Sequence, residues 1–165
     1  MKKRGEQYSW TDLRVQVQKE IDKTSLDIRS LNIHEWPAIE YRIMKHFAND
    51  ERFGFNWMWE NRIDDSFDYY AKEIFDFELL KRLMLKSINN NEYVWLFLED
   101  SYRQKSKFWG YSGKISSIMS LLDNLPLCDY YIVSKKLKWV TGQNHHDILF
   151  GYGEIARKFR EIIDE

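Results

Sequence analysis

An α+β fold, with N-terminal helices followed by an antiparallel sheet of about four strands that carries helices on it, is the architecture this sequence predicts. Three observations lead there. Apolar residues recur at helical spacing through much of the first half of the chain. Tyr93 to Leu98 (YVWLFL) is apolar on both alternating faces, which suits a strand covered on both sides. After Cys128 the pattern changes to two short β-rich runs, DYYIV and LKWVT, on either side of Ser134-Lys135-Lys136.

Trp10, Leu13, Val17 and Ile21 keep one face of a first helix apolar over about 10 to 23, and Ser9 three residues before Asp12 resembles a capping box. A second helix is expected to open at Pro37 and to turn Ile39, Ile43, Met44 and Phe47 inward until Asn49-Asp50. Residues 50 to 62 lack a clean period and read as a loop or irregular strand. Phe67, Tyr70, Ala71, Ile74 and Phe75 return to helical spacing, and Leu79, Leu80, Leu83 and Met84 continue it toward Asn89, as one broken helix or two short ones.

Tyr93 to Leu98 is expected at the centre of the sheet. Ser101 to Lys107 is polar and Gly110 and Gly113 punctuate a loop, after which Ile115, Ile118, Met119 and Leu122 mark a helix that stops before Pro126. DYYIV and LKWVT form a hairpin whose turn lacks the favoured Asn-Gly sequence, so its register is open. Asp147 to Phe150 adds a strand, Gly151 and Gly153 a turn, and Ile155, Phe159 and Ile162 the buried stripe of a closing helix. With no internal repeat and no Pro/Gly linker, residues 1–165 read as a single α+β domain.

The chain of 165 residues is 44% hydrophobic and holds 7 Trp, 10 Tyr and 10 Phe, a composition that excludes disorder. Lys plus Arg number 25 against 26 Asp plus Glu, so no global field draws in nucleic acid or an anionic membrane. Cys128 is the only cysteine, which rules out an intramolecular disulfide and a Cys-rich zinc site and fits a reducing compartment. MKKRGEQYSW has no apolar stretch behind its basic start, and 18 uninterrupted apolar residues occur nowhere. A cytoplasmic protein without a membrane span is expected. No cofactor is expected, and oligomeric state is not readable.

The pointed motif is Asn144-His145-His146-Asp147, which holds half of the four histidines. In an extended segment His145 and His146 would face opposite ways, while His145 and Asp147 would share a face. A carboxylate can fix the tautomer of an imidazole and raise its basicity, so His145, His146 and Asp147 are the catalytic candidates, as an acid-base pair or with a metal whose further ligands would come from Glu99 or Asp100. The bland alternative is that these side chains satisfy backbone groups in a turn. A nuclease of the His-Asn-His type is excluded, because no His or Asn follows His146. Gly151-Tyr152-Gly153 superficially resembles a dinucleotide fingerprint, but only 12 residues follow Gly153, too few for the required βαβ unit.

Residues 60 to 78 hold Glu60, Asp64, Asp65, Asp68, Glu73, Asp76 and Glu78 against Arg62 and Lys72, which reads either as a solvated helix face or as an acidic surface for a basic partner. Trp57, Trp59 and Trp109, in segments read as irregular, are either core or partner contacts. Together Asp64, Asp65, Asp68, Trp57, Trp59 and Trp109 are the expected partner-binding set. Lys135, Lys136 and Lys138 beside Trp139, with Arg103, Lys105 and Lys107, offer a nucleic-acid patch, although lysines on a hairpin turn more often guard a sheet edge.

WMWEN at 57 to 61, VWLFLEDS at 94 to 101, KFWGYSG at 107 to 113, and YYIVSKKLKW with NHHDILFGYG between 130 and 153 resemble an uncharacterised family of small bacterial proteins. In size and composition the chain also resembles the immunity proteins that protect bacteria from toxins. That resemblance implies a non-catalytic module of immunity or antitoxin type that neutralises a protein partner; the alternative is an acid-base or metal-assisted hydrolase using the His145/His146/Asp147 cluster.

Overall fold

Short apolar runs that alternate between two faces must be covered on both sides, and the chain meets that demand with one sheet between two unequal helical layers. The structure is a computed structural model, and it describes residues 12–48, 55, 67–102, 105–126 and 129–164. In chain order the elements are α1 (Asp12–Thr24), β1 (Ile28–Ser30), α2 (Trp36–Phe47), β2 (Tyr69–Glu73), α3 (Phe77–Ser87), β3 (Tyr93–Tyr102), β4 (Lys105–Lys114), α4 (Ile115–Asp123), β5 (Tyr130–Ser134), β6 (Trp139–Gln143), β7 (Ile148–Gly153) and α5 (Glu154–Ile163). The α+β class is as expected. Among the described residues, however, the sheet has seven strands rather than about four, all antiparallel, in the order β1-β4-β3-β5-β6-β7-β2.

Two segments account for most of that difference. Tyr69–Glu73 has the apolar spacing of a helix yet pairs with β7 from Tyr69↔Tyr152 to Glu73↔Ile148. Its aromatics divide between the layers: Tyr69 packs toward α2, while Tyr70 meets the Phe159 ring of α5 edge-on at 6.2 Å. The polar, glycine-punctuated stretch from 105 to 114 is β4, paired with β3 along its whole length. Gly113 lies within this strand because β1 crosses closely there; a Cβ would stand 2.6 Å from the Asp27 carbonyl oxygen. β3 is interior, as its apolar faces demand, but β5 occupies the middle position.

Val94, Leu96 and Leu98 of β3 and Ile132 of β5 form one face with the apolar stripes of α1, α3, α4 and α5. The opposite face is largely aromatic: Trp95, Phe97, Phe108, Tyr131, Phe150 and Tyr152 are buried under α2 and Phe55. Tyr131 donates its hydroxyl to the Phe55 carbonyl at 2.8 Å, and burial raises the pKa of that phenol. α1, α2, α4 and α5 lie close to their expected spans, and Asp76 caps α3 by accepting the Glu78 N–H at 2.9 Å. The Ser9 capping box and most of 50 to 62 lie outside the described residues. No helix among the described residues is long and apolar enough to cross a membrane.

Candidate functional site around His145

β6 ends at Gln143 and β7 begins at Ile148, so Asn144 to Asp147 must reverse the chain. Asn144 organises that reversal. Its backbone carbonyl accepts the Asp147 N–H at 3.0 Å, and its side-chain oxygen accepts the N–H groups of His146 at 2.9 Å and Ile148 at 3.2 Å. Asp147 completes the turn with a φ of 57°, a conformation that Asp tolerates better than most residues. The turn is anchored from β2's side: Ile74 donates its N–H to the Asp147 carbonyl at 2.8 Å, and Gln143 Nε2 donates to the Ile74 carbonyl at 2.9 Å.

Because the segment is a turn rather than a strand, the expected geometry of the histidines changes. His145 and His146 do not separate onto opposite faces; their rings lie 4.0 Å apart, tilted by 47°. His145 is held by Asp129, not Asp147, with Nδ1 at 3.2 and 3.3 Å from the two carboxylate oxygens. Asp129 immediately precedes β5, and its carbonyl accepts the Glu99 N–H at 2.8 Å. A carboxylate accepts hydrogen bonds, so Nδ1 of His145 is the donor to Asp129, and in the neutral ring this leaves Nε2 as the acceptor. The imidazole is thereby prepared as a base or a ligand at Nε2.

His145, Asn144, Asp147 and Gln143 form the polar side of a cavity of about 130 Å³. Phe77, Leu122, Leu125, Pro126 and Tyr130 form its apolar side. That volume is below the usual range of small-molecule sites and suits a group of a few heavy atoms. Among the described residues no group of three or more His, Cys, Asp or Glu side chains is gathered to hold a metal ion.

A family of unknown function, DUF6756, matches residues 9–163, a span that includes every described helix and strand. The chain belongs to the DUF6756 family. No curated protein and no solved structure matches it.

In this DUF6756 chain the described residues of the expected partner-binding set, Asp68 and Trp109, lie apart, ahead of β2 and on β4. Trp109 lies on β4 rather than in a loop, donates Nε1 to Asp100 at 2.7 Å and has the Arg14 guanidinium 4.4 Å from its ring centroid. It therefore helps seat α1, and Asp100 is engaged there rather than near His145. Asp68 is exposed ahead of β2, its carbonyl accepting the Gly153 N–H at 2.9 Å. Asp64, Asp65, Trp57 and Trp59 lie outside the described residues. Trp139 is 5% exposed and packs in the helical layer, so it offers no stacking surface beside the lysine turn.

Asp129 is the residue that sequence reading missed. The signal was the hairpin register: once Tyr130 pairs with Gln143, Asp129 stands opposite Asn144, one residue from His145.

Proposed function

We propose that this chain is a protein-binding module of immunity or antitoxin type, acting in the bacterial cytoplasm, which receives a basic segment of its partner along the β2 edge. The observation that carries this reading is the condition of that edge. The bonds Gly153 N–H to Asp68 and Ile74 N–H to Asp147 set the antiparallel alternation, so Ala71 and Glu73 direct their backbone N–H and C=O away from β7. Ala71, Lys72 and Glu73 are exposed, and Phe75 beyond them is 75% exposed. Asp68, Glu73, Asp76 and Glu78 lie in this stretch of chain against Lys72, while Arg160 of α5 donates to the Tyr69 carbonyl at 3.0 Å. An added strand would gain backbone hydrogen bonds there, Phe75 would supply apolar contact, and the carboxylates would favour a basic partner.

The test is a pull-down from the native host at low salt, repeated with Phe75→Ala and Glu73→Lys. One partner retained by the wild type, released by raised salt and lost with both variants supports the reading. Recovery of no specific partner, or equal recovery with the variants, overturns it.

A second reading rests on the Asp129-His145 pair: His145 as a general base at the rim of the small cavity, in a hydrolase that uses the His145/His146/Asp147 turn. It requires hydrolysis of a phosphoester or carboxylic ester substrate that is lost with His145→Gln while the fold persists.

A further inference from the structure

At the end of β6 opposite Asn144, a larger recess lies between the α3–β3 loop, the β5–β6 turn and the first turns of α5. Its volume is about 500 Å³, within the range of small-molecule sites and well above that of the His145 cavity. Four lysines line it, Lys135, Lys136, Lys138 and Lys158, against two carboxylates, Glu92 and Glu154. The excess of two positive charges is local, because the whole chain carries a formal charge of −1.

The arrangement of these ammonium groups separates them from a solvated lysine turn. Lys138 is paired with Glu154 at 3.5 Å. Lys135 instead donates to the Ser112 hydroxyl at 2.6 Å, and Lys158 donates to the Ser87 carbonyl at 3.0 Å. Neutral oxygens hold both ammoniums, and Lys135 also feels the opposing charges of Arg29 and Glu35. Burial and the neighbouring Arg29 guanidinium lower the Lys135 pKa, with Glu35 opposing them, so this cation is partly stripped of water. Lys136 is exposed on the turn that holds Lys135; the turn is closed by the Leu137 N–H on the Ser134 carbonyl at 2.9 Å, with Leu137 at a φ of 54°.

The recess also contains an oriented neutral group. Asn89 turns its side-chain oxygen to the Asn91 N–H at 3.0 Å, which leaves its amide NH2 as a donor. Several ammonium point charges with an amide donor, and no planar guanidinium fork among the lining residues, suit a compact oxyanion whose negative charge is spread over several oxygens.

We propose that this recess binds the phosphate group of a small anionic ligand, with Lys135, Lys136 and Lys158 supplying charge and Asn89 a directed hydrogen bond. The site is independent of the β2 edge.

Calorimetric titration of the full chain at low salt with pyrophosphate, a nucleoside diphosphate and acetate tests it. Saturable pyrophosphate binding without acetate binding is expected. Lys136→Gln, whose ammonium is exposed, is expected to weaken it about tenfold and to melt like the wild type. Lys135→Gln is expected to weaken it further, and Lys23→Gln on α1 to leave it unchanged. Tighter binding of the nucleoside diphosphate than of pyrophosphate identifies a nucleotide ligand; equal binding assigns recognition to the phosphates alone. Absence of saturable pyrophosphate binding, an unaltered Lys136→Gln, or an equal loss with Lys23→Gln overturns the proposal.

Discussion

Asp129 grips Nδ1 of His145 with both carboxylate oxygens although the two residues are sixteen positions apart. The pair joins the start of β5 to the β6–β7 turn and directs the lone pair of the imidazole to Nε2. Asp129→Ala is expected to remove that bias, observable as a changed Nδ1/Nε2 pattern in nitrogen-15 spectra of the His145 ring. His145 is 68% exposed, so the loss of stability is expected to remain below about 1 kcal/mol. An unchanged ring pattern would show that Asp129 does not set the tautomer.

Asn144 is only 9% exposed and its one side-chain oxygen serves two backbone N–H groups. Asn144→Ala leaves those donors without their acceptor, at a cost of roughly 1 to 3 kcal/mol. Asn144→Asp keeps the acceptor and is expected to lose much less. Thermal melting distinguishes them, with a shift of about 2 to 4 °C per kcal/mol for a domain of this size.

Tyr131→Phe retains the ring within the aromatic layer and removes the hydroxyl that donates to Phe55. The expected loss is about 1 kcal/mol, measured by denaturant unfolding with an unchanged slope. A larger loss with an altered slope would mean that removing this bond changes more than the single contact with Phe55.

Burial raises the pKa of the Glu40 carboxyl on α2, with the Phe55 N–H opposing the shift. A raised folded-state pKa means that the folded chain holds this proton more tightly than the unfolded chain does. The contribution to stability is therefore present at acidic pH and is lost as pH rises from the unfolded toward the folded value. Glu40→Gln keeps an acceptor for Phe55 without the charge, so it is expected to melt higher than the wild type at neutral pH. The two curves should converge below the ordinary carboxylate range; a constant difference across pH would show that the charge is not the cause.

Local pattern was sufficient where one element buries a continuous stripe. Val17 and Ile21, or Ile118 and Leu122, repeat at helical spacing, and their helices lie close to the expected spans. It misled where a strand borrows its stability from a distant partner. Tyr69–Glu73 has helix-like spacing, and only the β7 ladder, more than seventy residues away, makes it a strand. In β4 the glycines read as loop punctuation because the approach of β1, which excludes a Cβ at Gly113, leaves no trace in the neighbouring residues.

The candidate site divides in the same way. Residue chemistry alone marked His145, His146 and Asp147 as a place where an imidazole could meet a carboxylate, and it marked the lysine turn as locally basic. Which carboxylate His145 meets was decided by pairing between β5 and β6, because ladder register brings Asp129 to Asn144 whatever lies in the intervening sequence. The helices and the alternating strands follow from period and side-chain type, which act over a few residues. The seven-strand order, the terminal position of β2 in it and the Asp129-His145 contact depend on long-range pairing, in which side chains far apart in the chain share one surface.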